Sequence, residues 1–200
     1  MIDYQKACPS VKLVFLGDSG VGKSCIISKF SSGVVPTESL PTVGAAYYSK
    51  VVSVDQTKLE LRIWDTAGQE TYHSLTPIYF RGSSIAFVVF DITNRKSFSN
   101  LRNWISLVRE YGRKGIVIVC VGNKVDLQAE RVVEYSELSE IAAELNAIPI
   151  ETSAVTGVGI EQMIQSAVAK VIEIDRNAES NPKGSSDQDE DKGKSNGPCC

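Results

Sequence analysis

No stretch of eighteen or more apolar residues occurs in this chain, so nothing in it reads as a membrane-spanning helix. The N-terminus lacks the apolar core of a secretory signal. Histidine is nearly absent: His73 is the single one, and it lies in loop composition, where a solvated side chain fits better than a catalytic base. The five cysteines show neither the spacing of a metal site nor a disulfide framework, so a reducing cytosol is the simplest compartment. Cys25 and Cys120 fall in an expected helix and an expected strand and read as small core residues, while Cys8 lies in a frayed N-terminus. A net charge of −3 supplies no field for general nucleic-acid binding. Internal repeats are also lacking. With 42% hydrophobic residues, 200 residues are enough for one domain with a real core.

The most specific feature present is Gly17-Asp18-Ser19-Gly20-Val21-Gly22-Lys23-Ser24. It follows the apolar run Val11 to Leu16, which reads as a buried strand, and precedes a helical stretch from Cys25 to Phe30. Strand, glycine-rich loop, Lys-Ser and helix is the arrangement of a phosphate-binding loop. Glycines let successive backbone N–H groups turn toward phosphate oxygens, and the helix start adds partial positive charge. Asp18, Ser19, Gly20, Val21 and Gly22 are therefore candidates for phosphate contact. Lys23 can reach the β- and γ-phosphates, and the Ser24 hydroxyl can ligate Mg²⁺.

Three more segments narrow the ligand. Asn123-Lys124-Val125-Asp126 ends a second apolar run, Ile116 to Val121. A carboxylate at Asp126 can accept from both the ring N–H and the exocyclic amine of guanine, which adenine does not offer in that geometry. Asn123 can brace the loop, and the Lys124 stem can lie on one face of the base. Asp65-Thr66-Ala67-Gly68-Gln69-Glu70 closes the alternating run Leu59 to Trp64. Asp65 can hold Mg²⁺ through water, Gly68 can approach a γ-phosphate, and the Gln69 amide can orient an attacking water. Taken alone, Gln69 reads better as a solvated loop amide. In Pro41-Thr42-Val43-Gly44, Thr42 can ligate Mg²⁺ and sense the γ-phosphate, or it is a turn threonine.

Apolar runs alternate with amphipathic stretches at Phe98 to Tyr111, Ser136 to Leu145 and Ile160 to Ile174. That alternation predicts an α/β fold with a mostly parallel sheet and helices on both faces. Ligands bind such sheets at the carboxyl ends of the strands, where the phosphate loop, Asp65 and Asn123 to Asp126 would all meet. The expected organisation is a flexible N-terminus over 1–9, one folded domain over 10–175 and a disordered tail over 176–200. The tail is rich in Gly, Ser, Asn, Asp, Lys and Glu, which cannot bury enough surface to order itself.

With these motifs in hand, the chain resembles a Ras-like small GTPase over roughly residues 10 to 175, and more narrowly the Rab group. The Rab-like stretches are VGAAYY (Val43 to Tyr48), LRIWDTAGQE (Leu61 to Glu70), TYHSLTPIYFRG (Thr71 to Gly82) and FVVFDITNRKSF (Phe87 to Phe98). The Gly-Ala-Ala after Thr42 and the Ser-Leu-Thr-Pro before Tyr79 resemble the early-endosomal branch. The resemblance implies a P-loop NTPase fold with a six-stranded sheet and one antiparallel edge strand. It implies a slow GTPase switch with Mg²⁺, in which Lys23 stabilises transferring charge and Gln69 places the water. No arginine is placed as an internal finger, so an activating protein would accelerate turnover. Further implied partners are an exchange factor, a GDP-dissociation inhibitor, a prenylation escort and GTP-state effectors, on a monomeric domain with no nucleic acid bound.

The resemblance also implies that Ser153 and Ala154 support the base, and that Tyr47, Trp64 and Tyr79 form an aromatic triad for effectors. Trp64 is equally readable as core. Cys199 and Cys200 would be prenylated, holding the protein to the cytoplasmic face of endosomal or vesicle membranes. The tail mixes acids with lysines, so anionic lipid adds little. The chain departs from the family at two places: Val155 replaces the lysine of the base-clasping loop, and Val35 stands where many members place an aromatic ring. Faster nucleotide release is the expected consequence. Two other readings stay open at this stage: a nucleotide-insensitive scaffold, and a P-loop metabolic kinase, for which no arginine-rich lid is visible.

Overall fold

The computed structural model describes residues 9–35, 42, 44–54, 57–68 and 76–180. In chain order the elements are β1 (Ser10–Leu16), α1 (Lys23–Ser32), β2 (Ala45–Val54), β3 (Thr57–Thr66), α2 (Thr76–Phe80), β4 (Ile85–Asp91), α3 (Arg95–Ser99), α4 (Leu101–Tyr111), β5 (Val117–Asn123), α5 (Tyr135–Glu144), β6 (Ile148–Thr152) and α6 (Ile160–Ser180). The six strands form one sheet in the order β2-β3-β1-β4-β5-β6. All neighbours run parallel except β2 and β3, which pair antiparallel at one edge. The expected α/β architecture is present, down to the single antiparallel edge strand.

Residue alternation along the strands divides the core in two. Leu13, Phe15, Ile63, Phe87 and Val119 face α1 and α6, where Ile26, Ile27, Met163 and Val168 meet them. Val14, Leu16, Val88, Phe90 and Cys120 face the other way, onto Phe80, Leu101, Trp104 and Leu138. β4 and β5 are buried along their whole length, so they read as continuous apolar runs rather than alternating ones. Each fully buried Leu, Ile or Phe contributes about 1.5–3 kcal/mol, so this two-faced core holds the strand ends in place.

Element boundaries differ from the sequence expectation where side chains supply hydrogen bonds that periodicity does not show. The expected helix Phe98 to Tyr111 starts earlier and is divided. Asn94 Oδ1 accepts from the amides of Lys96 (3.0 Å) and Ser97 (3.3 Å), capping α3, and Asn100 separates α3 from α4. A reciprocal capping box between Glu134 and Glu137 starts α5. β5 continues past Val121 to Asn123 because its register with β4 and β6 pairs Asn123 with both Asp91 and Thr152.

The tail expectation needs correction as well. α6 continues past residue 175 to Ser180, through Arg176 and Ala178, both good helix formers. Among the described residues no helix is long and apolar enough to cross a membrane.

Candidate functional site

The carboxyl ends of the parallel strands lie along one edge of the sheet, and a crevice of about 460 Å³ opens there. Its lining combines segments far apart in sequence: the stretch from Ser19 to Cys25, Val35 and Thr42, Thr66 and Gly68 at the end of β3, the stretch from Asn123 to Leu127, and Ala154 with Val155.

At one end the chain turns from β1 into α1. Gly22 has φ 96, and a Cβ there would sit 2.4 Å from Asn123 Nδ2, so only glycine fits. The first bond of the α1 ladder runs from Ile26 N to Gly22 O (2.9 Å), which leaves the amides of Lys23, Ser24 and Cys25 ahead of it at the positive end of the helix. Lys23 is only 5% exposed, and its Nζ donates to the carbonyls of Gly17 (2.8 Å) and Asp18 (2.8 Å). Burial pulls its ammonium down to about 8, against the opposing pull of Asp65 and Asp18. A cation held in this way is ready for an anion.

Two loop residues from the phosphate-contact set point elsewhere with their side chains. The Asp18 carboxylate is turned toward the α3–α4 junction, accepting from Asn100 Nδ2 (2.7 Å) and Trp104 Nε1 (2.9 Å). Val21 is buried in the core cluster beneath α1. For both, only the backbone remains on the loop. Cys25 is likewise not a simple core residue: it is half-buried, packs on the same cluster and also lines the crevice.

Next to Lys23 lies a small group of oxygen atoms. Ser24 Oγ donates to Asp65 Oδ2 (2.5 Å) and lies 2.9 Å from Thr42 Oγ1, which is 3.4 Å from the same carboxylate oxygen. Asp65 is 1% exposed, and its Oδ1 is buried with no hydrogen-bond partner among the described residues. Burial raises its carboxyl above the usual range, against the opposing effects of Ser24, Lys23 and Thr42. An orphaned buried carboxylate oxygen beside two hydroxyls fits a small hard cation such as Mg²⁺, which takes few protein ligands and completes its shell with water and phosphate oxygens. Among the described residues no cluster of three or more His, Cys, Asp or Glu forms a metal cage. Gly68 closes this end: a Cβ on it would lie 2.5 Å from Asp18 C and from Ser19 N, so the segment after β3 packs directly on the phosphate loop.

At the other end Asn123 joins three segments. Its Nδ2 donates to Val21 O (2.8 Å), while its Oδ1 accepts from Thr152 Oγ1 (3.1 Å) and Ala154 N (3.2 Å). Ser153 Oγ donates to Asp126 Oδ1 (2.5 Å) and accepts from Thr156 N (3.0 Å). Asp126 itself is exposed, as is Val155 at 63%. Lys124 takes a left-handed backbone (φ 73), and its Nζ lies 2.6 Å from Asp91 Oδ2. Arg131, nearly buried, pairs with Glu151 (2.6 Å) and ties the segment after Asp126 to β6. Val35 and Val155 both line the crevice.

Sequence reasoning missed several of these supports. Asp91, Thr152, Asn100 and Trp104 carry no motif of their own. Asp91 lies within the Rab-like stretch Phe87 to Phe98, but nothing local marks it as a support for the site.

On the sheet edge Tyr47 and Trp64 are cross-strand partners, with ring centroids 5.4 Å apart, and Tyr79 stacks on Trp64 at 5.9 Å. Tyr47 is 51% exposed, whereas Trp64 is half-buried against the second core cluster, so both readings of Trp64 hold in part. Gln69, His73, Cys8, Cys199 and Cys200 lie outside the described residues.

Compared with known families, the chain matches the Ras family over residues 12–173. That span runs from β1 into α6 and includes every segment lining the crevice.

Proposed function

The chain belongs to the Ras family, which makes it a small GTPase that hydrolyses GTP, and from that premise we propose that the crevice holds GTP and GDP with Mg²⁺ in a Rab-type switch of vesicle traffic. The carrying observation is that Lys23, the Ser24–Thr42–Asp65 oxygen group and the Asn123–Asp126–Ser153 group open into one cavity. Lys23 and the loop amides take the phosphates. Asp126 selects guanine, with the Ser153 hydroxyl already bonded to it, while the Ala154 amide is held by Asn123 behind the pocket. Ser24 and Thr42, with Asp65 through water, would hold Mg²⁺, which neutralises charge on the phosphates when bound. During transfer the Lys23 ammonium and the backbone N–H groups stabilise charge building on the leaving oxygens, and Gln69 orients the water. γ-Phosphate contacts at Thr42 and Gly68 order their loops, and hydrolysis releases them.

Residues 10–175, with α6 carried on to Ser180, form the switch domain, and the remaining tail is the tether. Prenylation of Cys199 and Cys200 would anchor it stably, because two chains hold where one is marginal. The terminal cysteine pair and the Rab-like stretches around Val43 to Tyr48 and Thr71 to Gly82 support this reading, as does the Tyr47–Trp64–Tyr79 surface for effectors. The working location is the cytoplasmic face of endosomal or vesicle membranes, reached by way of an exchange factor, an activating protein, a GDP-dissociation inhibitor and a prenylation escort. Val35 and Val155 make nucleotide release faster than in relatives with an aromatic residue and a lysine there.

The first test is to purify the protein in Mg²⁺, denature it and identify the released nucleotide by chromatography. Stoichiometric GDP or GTP is expected. A preparation that is empty and accepts neither GTP nor ATP would overturn the switch assignment.

A further inference from the structure

The guanine-binding segment is supported from an unexpected direction. The parallel register of β4 and β5 places Asp91 beside Asn123, one residue before Lys124. Lys124 adopts φ 73, a conformation uncommon for a residue with a side chain, and its ammonium lies 2.6 Å from Asp91 Oδ2. Asp91 is itself fixed: Oδ1 accepts from Thr93 N (2.8 Å) and Thr93 Oγ1 (2.7 Å), and its own amide donates to Ser97 Oγ (3.0 Å). The carboxylate is thereby oriented with one oxygen on the turn and the other on the lysine. Asp91 is largely buried and does not line the crevice, whereas Lys124 does.

We infer that Asp91 is a positioning residue for guanine-nucleotide retention: it holds the Lys124 stem in place as one wall of the base pocket before the base arrives. The inference rests on the reading of the crevice as a guanine site. A free lysine stem populates many rotamers, and a base seating against it must freeze them. An ion pair with a largely buried carboxylate has already done so, and burial protects that pair from salt. Lys124 matters more in this chain than in one with a full clasp, because Val155 is exposed and carries no long stem to cover the base.

The test uses the full chain loaded with fluorescent GDP and chased with excess GDP. Asp91→Asn keeps size and the Thr93 bonds but removes the charge. Release should rise by about threefold to tenfold, the factor that ordering one rotamer-rich side chain carries. Lys124→Ala should raise release at least as much, and adding Asp91→Asn to it should change nothing further. The GDP-loaded protein should show a slowly exchanging ¹⁵N–¹H ammonium signal for Lys124 that Asp91→Asn abolishes, a signature that mere support of the strand end would not produce. Should Asp91→Asn not fold, Thr93→Val loosens the same carboxylate and should give a smaller rise, again absent beside Lys124→Ala. Unchanged release in Asp91→Asn, or effects that multiply in the double variant, would overturn the inference. A protein that cannot be loaded with GDP at all would instead overturn the guanine reading.

Discussion

The two ends of the crevice are built differently. At the phosphate end, Lys23 and Asp65 are nearly inaccessible, with the Lys23 ammonium held by two loop carbonyls and Asp65 Oδ2 by Ser24. At the base end, Asp126 and Val155 stand in solvent, and the support comes from behind, through Asn123, Ser153 and Asp91. Burial makes charges at the first end strong and their loss costly, while screening makes contacts at the second end weaker and more tunable. On the proposed reading, the phosphate end would set whether nucleotide binds, and the base end which one binds and how long it stays.

The comparison breaks most visibly at Lys23. Lys23→Ala should reduce GDP affinity by about a hundredfold or more in fluorescence titration, since charge-assisted hydrogen bonds contribute about 1.5–3 kcal/mol each. The same residue gives the site a pH dependence of known sign. In the empty protein its ammonium titrates near 8, and bound phosphates hold the charged form. Affinity should therefore fall as pH rises above about 8, by up to tenfold per unit, and the fall should vanish in Lys23→Ala. A flat profile in the wild-type chain would show that the charge is not used. The folding term has its own sign. A lysine with a depressed native value binds fewer protons than the unfolded chain, so the empty protein should gain stability as pH rises from about 8 toward 10.5.

A middle-sized effect belongs to Asp126. Its carboxylate is exposed, so Asp126→Ala should weaken GDP binding by roughly thirtyfold rather than by the full value of two buried bonds. ATP binding, if measurable, should not weaken, and competition with unlabelled GDP and ATP reads both. The smallest effect sharpens the contrast from the other side. Val35→Phe with Val155→Lys should slow GDP release by about fivefold, the lower range of base–aromatic stacking. Release that is already slow and does not change would mean that the open base end costs the chain nothing.

Legibility followed the same division. Lys23, Ser24, Asn123 and Asp126 belong to contiguous stretches whose spacing follows from phosphate and guanine chemistry, and they could be named from the chain alone. Asp91, Asn100, Trp104 and Thr152 could not, because each acts on a residue that only strand register or helix docking brings near: Asp91 on Lys124, Asn100 and Trp104 on Asp18, and Thr152 on Asn123. Asp18 shows how a motif position can mislead. It sits in the glycine-rich loop expected to face phosphate, yet two donors from the α3–α4 junction draw its carboxylate the other way. Helix ends were misjudged for a related reason, since the Asn94 cap and the continuation of α6 to Ser180 do not alter hydrophobic periodicity.

What the chain determines by itself is local: which runs become strands, where glycines allow the loop to close on an anion, and which side chains have the right donors and acceptors. These follow from backbone sterics and side-chain chemistry within a few residues. The tertiary structure decided which atoms meet. Parallel pairing set Asp65, Asp91, Asn123 and Thr152 along one edge, and burial there then lowers the pKa of Lys23 and raises that of Asp65. Those quantities depend on distance and dielectric between segments that lie far apart along the chain, and only folding supplies them.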